Sequence, residues 1–149
     1  IAVEEHGRRV YLYQSRGENA VQTDSHVGMR VQLHCCGIGK AIPAHLPAKR
    51  VTEIIDEYGL PRWTEYTITD EDELFDELET IRDRGVAIDD EEWIRGLRCV
   101  AAPVMCDGEV LGAISVSGPT KRVDEDDVDR MIDLVRDTAR VIELNAKYS

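Results

Sequence analysis

The chain of 149 residues predicts an α+β fold, an antiparallel sheet with helices packed on it. Three observations carry this. Short alternating apolar stretches open the chain, amphipathic helical patterns fill its middle, and a late hairpin is followed by one long closing helix. No internal repeat or low-complexity segment interrupts the order.

Taken in order, Val10 to Ser15 and Val21 to Leu33 read as strands, interrupted by the polar turns Arg16-Gly17-Glu18-Asn19 and Ser25-His26-Val27-Gly28. The Gly-rich junction Gly37-Ile38-Gly39-Lys40 leads into a helix that Pro43 should bend. Next, Pro47 marks a helix start, Val51, Ile54, Ile55 and Tyr58 recur at helical spacing, and Gly59 stops it. Thr69 or Asp70 caps a third helix, whose stripe is Leu74, Leu78 and Ile81 and whose C′ residue is Gly85. Val86-Ala87-Ile88 is a short apolar run before the acids Asp89-Asp90-Glu91-Glu92. The last helix runs from Glu125 to about Ala146, with Val128, Met131, Ile132, Val135, Ala139, Ile142 and Leu144 largely on one side.

Between these lies the most informative stretch, Leu97 to Pro119, two apolar runs folded back around Asp107-Gly108. One row of the first strand is Cys99, Ala101 and Pro103; one row of the second is Ala113, Ser115 and Ser117. If the rows share a face, it is a floor of thiol, methyl and hydroxyl groups over which a compact polar ligand can lie. Small residues serve equally well to let a helix pack closely. A simple two-residue type I′ turn sets Cys99 opposite Val116 and separates thiol from hydroxyls. A three-residue loop, or one bulge in either strand, brings Cys99 opposite Ser117 and Ala101 opposite Ser115.

Composition sets limits. This length suits one domain, residues 1–149, with one core. A formal net charge of -12 without a basic stripe argues against a grip on a phosphate backbone. Four Lys stand against fourteen Arg, a balance like that of proteins from a salt-rich cytoplasm. No apolar run approaches a membrane span, and no basic-then-apolar leader opens the chain. The four cysteines form no spaced disulfide framework, which suggests free thiols, a reducing compartment and a cytoplasmic location. Lacking an initiator Met, the chain reads as part of something longer.

The sequence His34-Cys35-Cys36-Gly37-Ile38-Gly39-Lys40 places backbone N–H groups at a helix start, a seat for a carboxylate or phosphate, although it is not a P-loop. The two glycines equally allow close strand-to-helix packing. One inward carboxylate of Asp89-Asp90-Glu91-Glu92 can accept a hydrogen bond from a ligand hydroxyl, whereas such runs are more often solvated loop. His34, Cys35, Cys36, Cys99 and Cys106 lack zinc-site spacing, so no metal is expected. No base is fixed beside a cysteine to make it a nucleophile, and no catalytic residue is assigned. His6, His26 and His45 have no partner pattern.

Leu33-His34 with Gly37-Ile38-Gly39-Lys40-Ala41-Ile42, Gly59-Leu60-Pro61, Thr64, Thr67-Ile68-Thr69, the Leu74 to Gly85 helix, Asp89-x-Glu91-Glu92, Gly96-x-x-Cys99-x-Ala101-x-Pro103-Val104 and Ile114-Ser115-Val116-Ser117-Gly118-Pro119 follow one another in a specific order. In this the chain resembles the C-terminal effector-binding domain of IclR-family transcriptional regulators over nearly its whole length. The resemblance implies a GAF-like fold and a pocket for a small-molecule effector, formed by Gly37, Ile38, Asp89, Cys99, Ser115 and Ser117, with Val31 and Leu97 as apolar walls. It also favours the shifted hairpin register.

That reading expects a non-catalytic regulatory domain without cofactor that binds a small, oxygen-rich carboxylic acid and forms a homo-oligomer, dimer or tetramer. DNA would be met only through an N-terminal winged helix-turn-helix preceding Ile1, and no membrane is involved. Cys35-Cys36 stands where relatives carry Ala and Ser or Thr, and Pro43 replaces a common Leu. Two alternatives remain open at this stage: a thiol-dependent GAF-type enzyme such as a free methionine sulfoxide reductase, and a structural oligomerisation module.

Overall fold

A computed structural model describes all residues, 1–149. Six antiparallel strands form one sheet in the order β3-β2-β1-β6-β5-β4. β1 (Ala2–Glu5), unforeseen in the sequence, turns tightly through His6 and Gly7, both at positive φ, into β2 (Arg8–Tyr11). The two long strands expected over Val10–Ser15 and Val21–Leu33 shrink to β2 and to β3 (Arg30–Gln32). Residues 12–29 are instead an irregular loop. It closes on its own side chains: Gln14 Nε2 donates to Ser25 Oγ (3.0 Å), Thr23 and Ser25 hydroxyls meet at 2.6 Å, and Arg16 Nη2 donates to the carbonyls of Thr23 (3.0 Å) and Ser25 (2.7 Å). Such local bonds compete with a strand ladder.

α1 (Gly37–Ala41) lasts only five residues before a 3-10 turn, Pro43–His45, so Pro43 does break the helix. α2 (Ala48–Tyr58) follows Pro47 and ends at Gly59. α3 (Glu71–Arg84) is capped by Asp70, whose side chain accepts from Glu73 N (2.9 Å), and stops at left-handed Gly85. β4 (Ala87–Asp90) then joins the sheet edge, so the first two of the four acids lie in a strand. β5 (Leu97–Cys106) and β6 (Glu109–Pro119) form the hairpin, and α4 (Glu125–Tyr148) closes the chain.

The hairpin combines both registers considered. Asp107 and Gly108 have positive φ and set Cys106 opposite Glu109, as a two-residue turn requires. Between Met105↔Val110 and Val104↔Gly112, however, Leu111 is an extra residue, and this bulge shifts every later pair. Cys99 therefore faces Ser117, and Ala101 faces Ser115.

The sheet is packed on both faces. One core joins α1, α2 and α3 to the face bearing Ala87, Ala101 and Ala113; a smaller one sets Val135 and Ala139 of α4 against Val100, Ala102 and Val104. Leu144, expected with that inner stripe, is exposed beside Leu134, Val141 and Tyr148 on the opposite side of α4. No helix is long and apolar enough to cross a membrane.

Candidate functional site

β1 meets β6 at one pair, Ala2↔Ala113, so from Ile114 onward β6 has no strand on that side. The 12–29 loop spans the gap. Between them is a cavity of about 470 Å³. Its sheet-side wall is the floor of short side chains. Asp89, Cys99 and Ser117 form one cross-strand row, and Ala87, Ala101 and Ser115 the next. Ser117 Oγ donates to Cys99 Sγ at 2.9 Å. Leu, Ile or Phe in these rows would reach across the space; methyl, thiol and hydroxyl groups leave it open.

Of the residues nominated from sequence, Gly37, Ile38, Leu97, Cys99, Ser115 and Ser117 all line this cavity. Val31 and Asp89 do not. Val31 is buried on β3 opposite Arg9. Asp89, 1% exposed, lies beneath Gly37, where a built Cβ would sit 3.5 Å from Asp89 Cβ and 3.6 Å from Ala101 Cβ. Its Oδ1 accepts from Glu92 N (2.7 Å), while Oδ2 has no partner. Burial, reinforced by Glu92, pushes its carboxyl up to about 7.

A buried ion pair holds the Asp89–Glu92 turn. Lys40 Nζ, 1% exposed, lies within 3.1 Å of Glu77 and of Glu92 and donates to Ile88 O (2.9 Å). Burial alone would lower this ammonium, but Glu92 and Glu77 outweigh it and raise it. Thr64 Oγ1 donates to Glu91 O and Thr67 Oγ1 to Glu92 O, each at 2.6 Å. The lysine of the glycine-rich junction is thus neutralised structure.

Sequence reasoning missed Arg9, which is fully buried. Its guanidinium stacks 4.3 Å from the Trp93 ring centroid and 5.5 Å from that of Tyr11. Nη1 donates to Cys36 Sγ, and Nε and Nη2 have no partner. An arginine in a four-residue strand gives no sign of burial; the aromatic at 93 was the available hint. The loop contributions of Tyr13, Gln14, Arg16, Thr23 and Ser25 are hidden too: Tyr13, Gln14 and Thr23 fall in segments that read as strands, and Arg16 and Ser25 in polar turns with no sign of a cavity beneath them.

The three buried thiols, Cys35, Cys36 and Cys99, are shifted away from the reactive thiolate form. Burial raises Cys36 and, with Asp89 nearby, lifts Cys99 well above the ordinary thiol range; Cys35 is pushed up to about 12 by burial and Cys36. His34, a conceivable base, is bound to Pro61 O (2.9 Å) and lowered by burial. No group of three or more His, Cys, Asp or Glu is arranged to hold a metal ion.

Helices on both faces of one antiparallel sheet, with a hollow where β6 lacks a neighbouring strand, make this an α+β domain with room for a small molecule. The family model for the bacterial transcriptional regulator IclR C-terminal domain matches residues 1–144, and the chain belongs to that family. Among curated relatives, the HTH-type transcriptional regulator BhcR of Paracoccus denitrificans is 39% identical over 132 residues, covering 88% of this chain and 47% of the relative. The HTH-type transcriptional repressor AllR of Klebsiella pneumoniae is 38% identical over 143 residues, covering 95% and 53%. The chain thus spans about half the length of these relatives. Among solved structures, Thermotoga maritima IclR superimposes with a TM-score of 0.91 at 31% identity, over 97% of this chain and 59% of that one. A double mutant of the PobR inducer-binding domain from Acinetobacter, in complex with 3-hydroxybenzoic acid, gives 0.82 at 29% identity, over 95% and 85%.

Proposed function

We propose that this domain senses a small carboxylate in the cavity and passes its occupancy to subunit association. It would thereby control DNA binding by a winged helix-turn-helix on the same polypeptide in the cytoplasm. The observation that carries this reading is the unfilled space of about 470 Å³ over the Cys99, Ser115 and Ser117 floor. That volume falls in the range of pockets that enclose whole small molecules. Together with the Tyr11, Tyr13 and Trp93 walls, it supports an acid larger than the compact oxygen-rich one expected from the floor alone. The PobR complex, which holds an aromatic hydroxy acid, supports the same size class. Asp89, under Gly37, would act on the ligand through that backbone.

Coupling needs only a ligand with different affinities for two arrangements, typically about 1–3 kcal/mol. The stripe of Leu134, Val141, Leu144 and Tyr148 on α4 supports association of copies of the chain as a dimer or tetramer. Raised thiol pKa values support a non-catalytic role: free methionine sulfoxide with dithiothreitol should remain unreduced. Thermal-shift screening of small acids tests sensing directly, since a ligand at a hundred times its Kd adds roughly 2.7 kcal/mol. Ser115→Leu or Ser117→Leu should abolish the shift in a folded protein; a full shift in both variants removes the floor from the site.

A further inference from the structure

Charge around the cavity runs opposite to charge on the molecule. The chain carries 30 aspartates and glutamates and a net charge of -12, yet no carboxylate side chain lines the cavity, and its only charged lining side chain is Arg16. Behind the wall formed by Tyr11, Cys36 and Trp93, the buried Arg9 guanidinium adds a second positive charge with two unpartnered nitrogens. Asp89, whose field reaches Arg9, is partly protonated near neutral pH because of its burial. Opposing charge is therefore thin at the recess, and Arg16, exposed on the loop, faces it from the solvent side.

Arg16 is also held for use. Its Nη2 is pinned by the Thr23 and Ser25 carbonyls, both from residues that line the cavity, while Nε and Nη1 carry no hydrogen bond within the protein. Pinning one nitrogen to backbone fixes a long, flexible side chain before any ligand arrives, which lowers the ordering cost of an ion pair.

We propose that Arg16 is the specificity-determining residue of the cavity: it takes the carboxylate of an elongated organic acid from the loop side, while Ser115 and Ser117 take a hydroxyl or carbonyl oxygen from the sheet side. This rests on the effector-binding reading above and assigns it an orientation. The anion lies at the loop, and the helix-start glycines serve as floor.

Isothermal titration with 3-hydroxybenzoate and succinate, each beside its neutral amide, tests it on the wild type, Arg16→Gln and Arg16→Lys. Expected are a tenfold or greater preference for acid over amide, its loss in Arg16→Gln with amide affinity unchanged, and partial recovery in Arg16→Lys. Equal weakening of acid and amide would mean that Arg16 only braces the loop and would overturn the proposal. So would an undiminished preference in Arg16→Gln, although the sensing function would stand. A ligand-free arm separates the two readings: in a Trp63→Phe background, Arg16→Gln should lower quenching of Trp93 by iodide and not by neutral acrylamide. Unchanged iodide quenching overturns the role of Arg16 even if none of the four compounds binds, whereas reduced quenching without any binding keeps it and counts against the sensing reading.

Discussion

Gly37 and Gly39 look interchangeable in sequence, yet their surroundings differ sharply. A Cβ on Gly39 would meet Leu33 O at 2.2 Å, a backbone atom that cannot swing aside, whereas one on Gly37 meets only ordinary contacts at 3.5–3.6 Å. Gly39→Ala should therefore destabilise by about 1–3 kcal/mol, as overpacking does, and Gly37→Ala by clearly less; urea denaturation measures both, and equal losses would contradict the packing described. Asp89 carries a pH signature. Unfolded it titrates near 3.8 and folded at about 7, so between these values the native state keeps a proton that the unfolded chain has lost. Stability must then fall as pH rises through that window, by at most ~1.4 kcal/mol per unit from this group. Glu92, raised by burial against the pull of Lys40, slopes the same way. Asp89→Asn should make the decline between pH 5 and 7 shallower without abolishing it; an unaltered slope would place the titration elsewhere. The nominated floor residues were legible because small polar side chains alternating along an apolar hairpin are unusual. Arg9 and Arg16 were not, since the burial of Arg9 depends on Cys36 and Trp93, distant in sequence, and the clamping of Arg16 on the irregular path of its own loop.

Among elements, helices with both boundaries written in side-chain chemistry were read to within a residue or so. Asp70 and Gly85 bracket α3 by an acceptor for free N–H groups and a left-handed stop. Asp70→Ala should cost about 1 kcal/mol, seen as a lower Tm, while Thr69→Ala costs less; the reverse order would move the cap. The first strands were misjudged because alternation in residues 10–33 is imitated by a loop whose polar side chains bond to its own backbone. β1 was missed because four residues with two acids carry little period, though His6-Gly7 marked the turn. The bulge at Leu111 decides which side chains share the floor. Deleting Leu111 alone would straighten the ladder and leave Cys99 opposite Ser117, whereas deleting Leu111 together with Gly112 would slide the pairing by one and set Cys99 opposite Gly118. The single deletion should keep any acid-induced thermal shift, and the double deletion should lose it.

At the scale of the whole molecule, the α+β class and the helices on the sheet followed from the order of patterns, whereas the strand order β3-β2-β1-β6-β5-β4 did not, because no local signal reports which edges meet. The net charge of -12 predicts a bulk property: self-repulsion should be screened by salt, so Tm should rise from low to molar KCl. An unchanged Tm would argue against charge as a limit on stability. In β5, Cys99 and Ala101 belong to one surface of the sheet and Val100 and Ala102 to the other, where Val135 and Ala139 rest. The sheet is thus a diaphragm one strand thick. A guest lodged on the thiol side would press on the helix behind it through a close-packed interior, and news of it would need no hinge to travel.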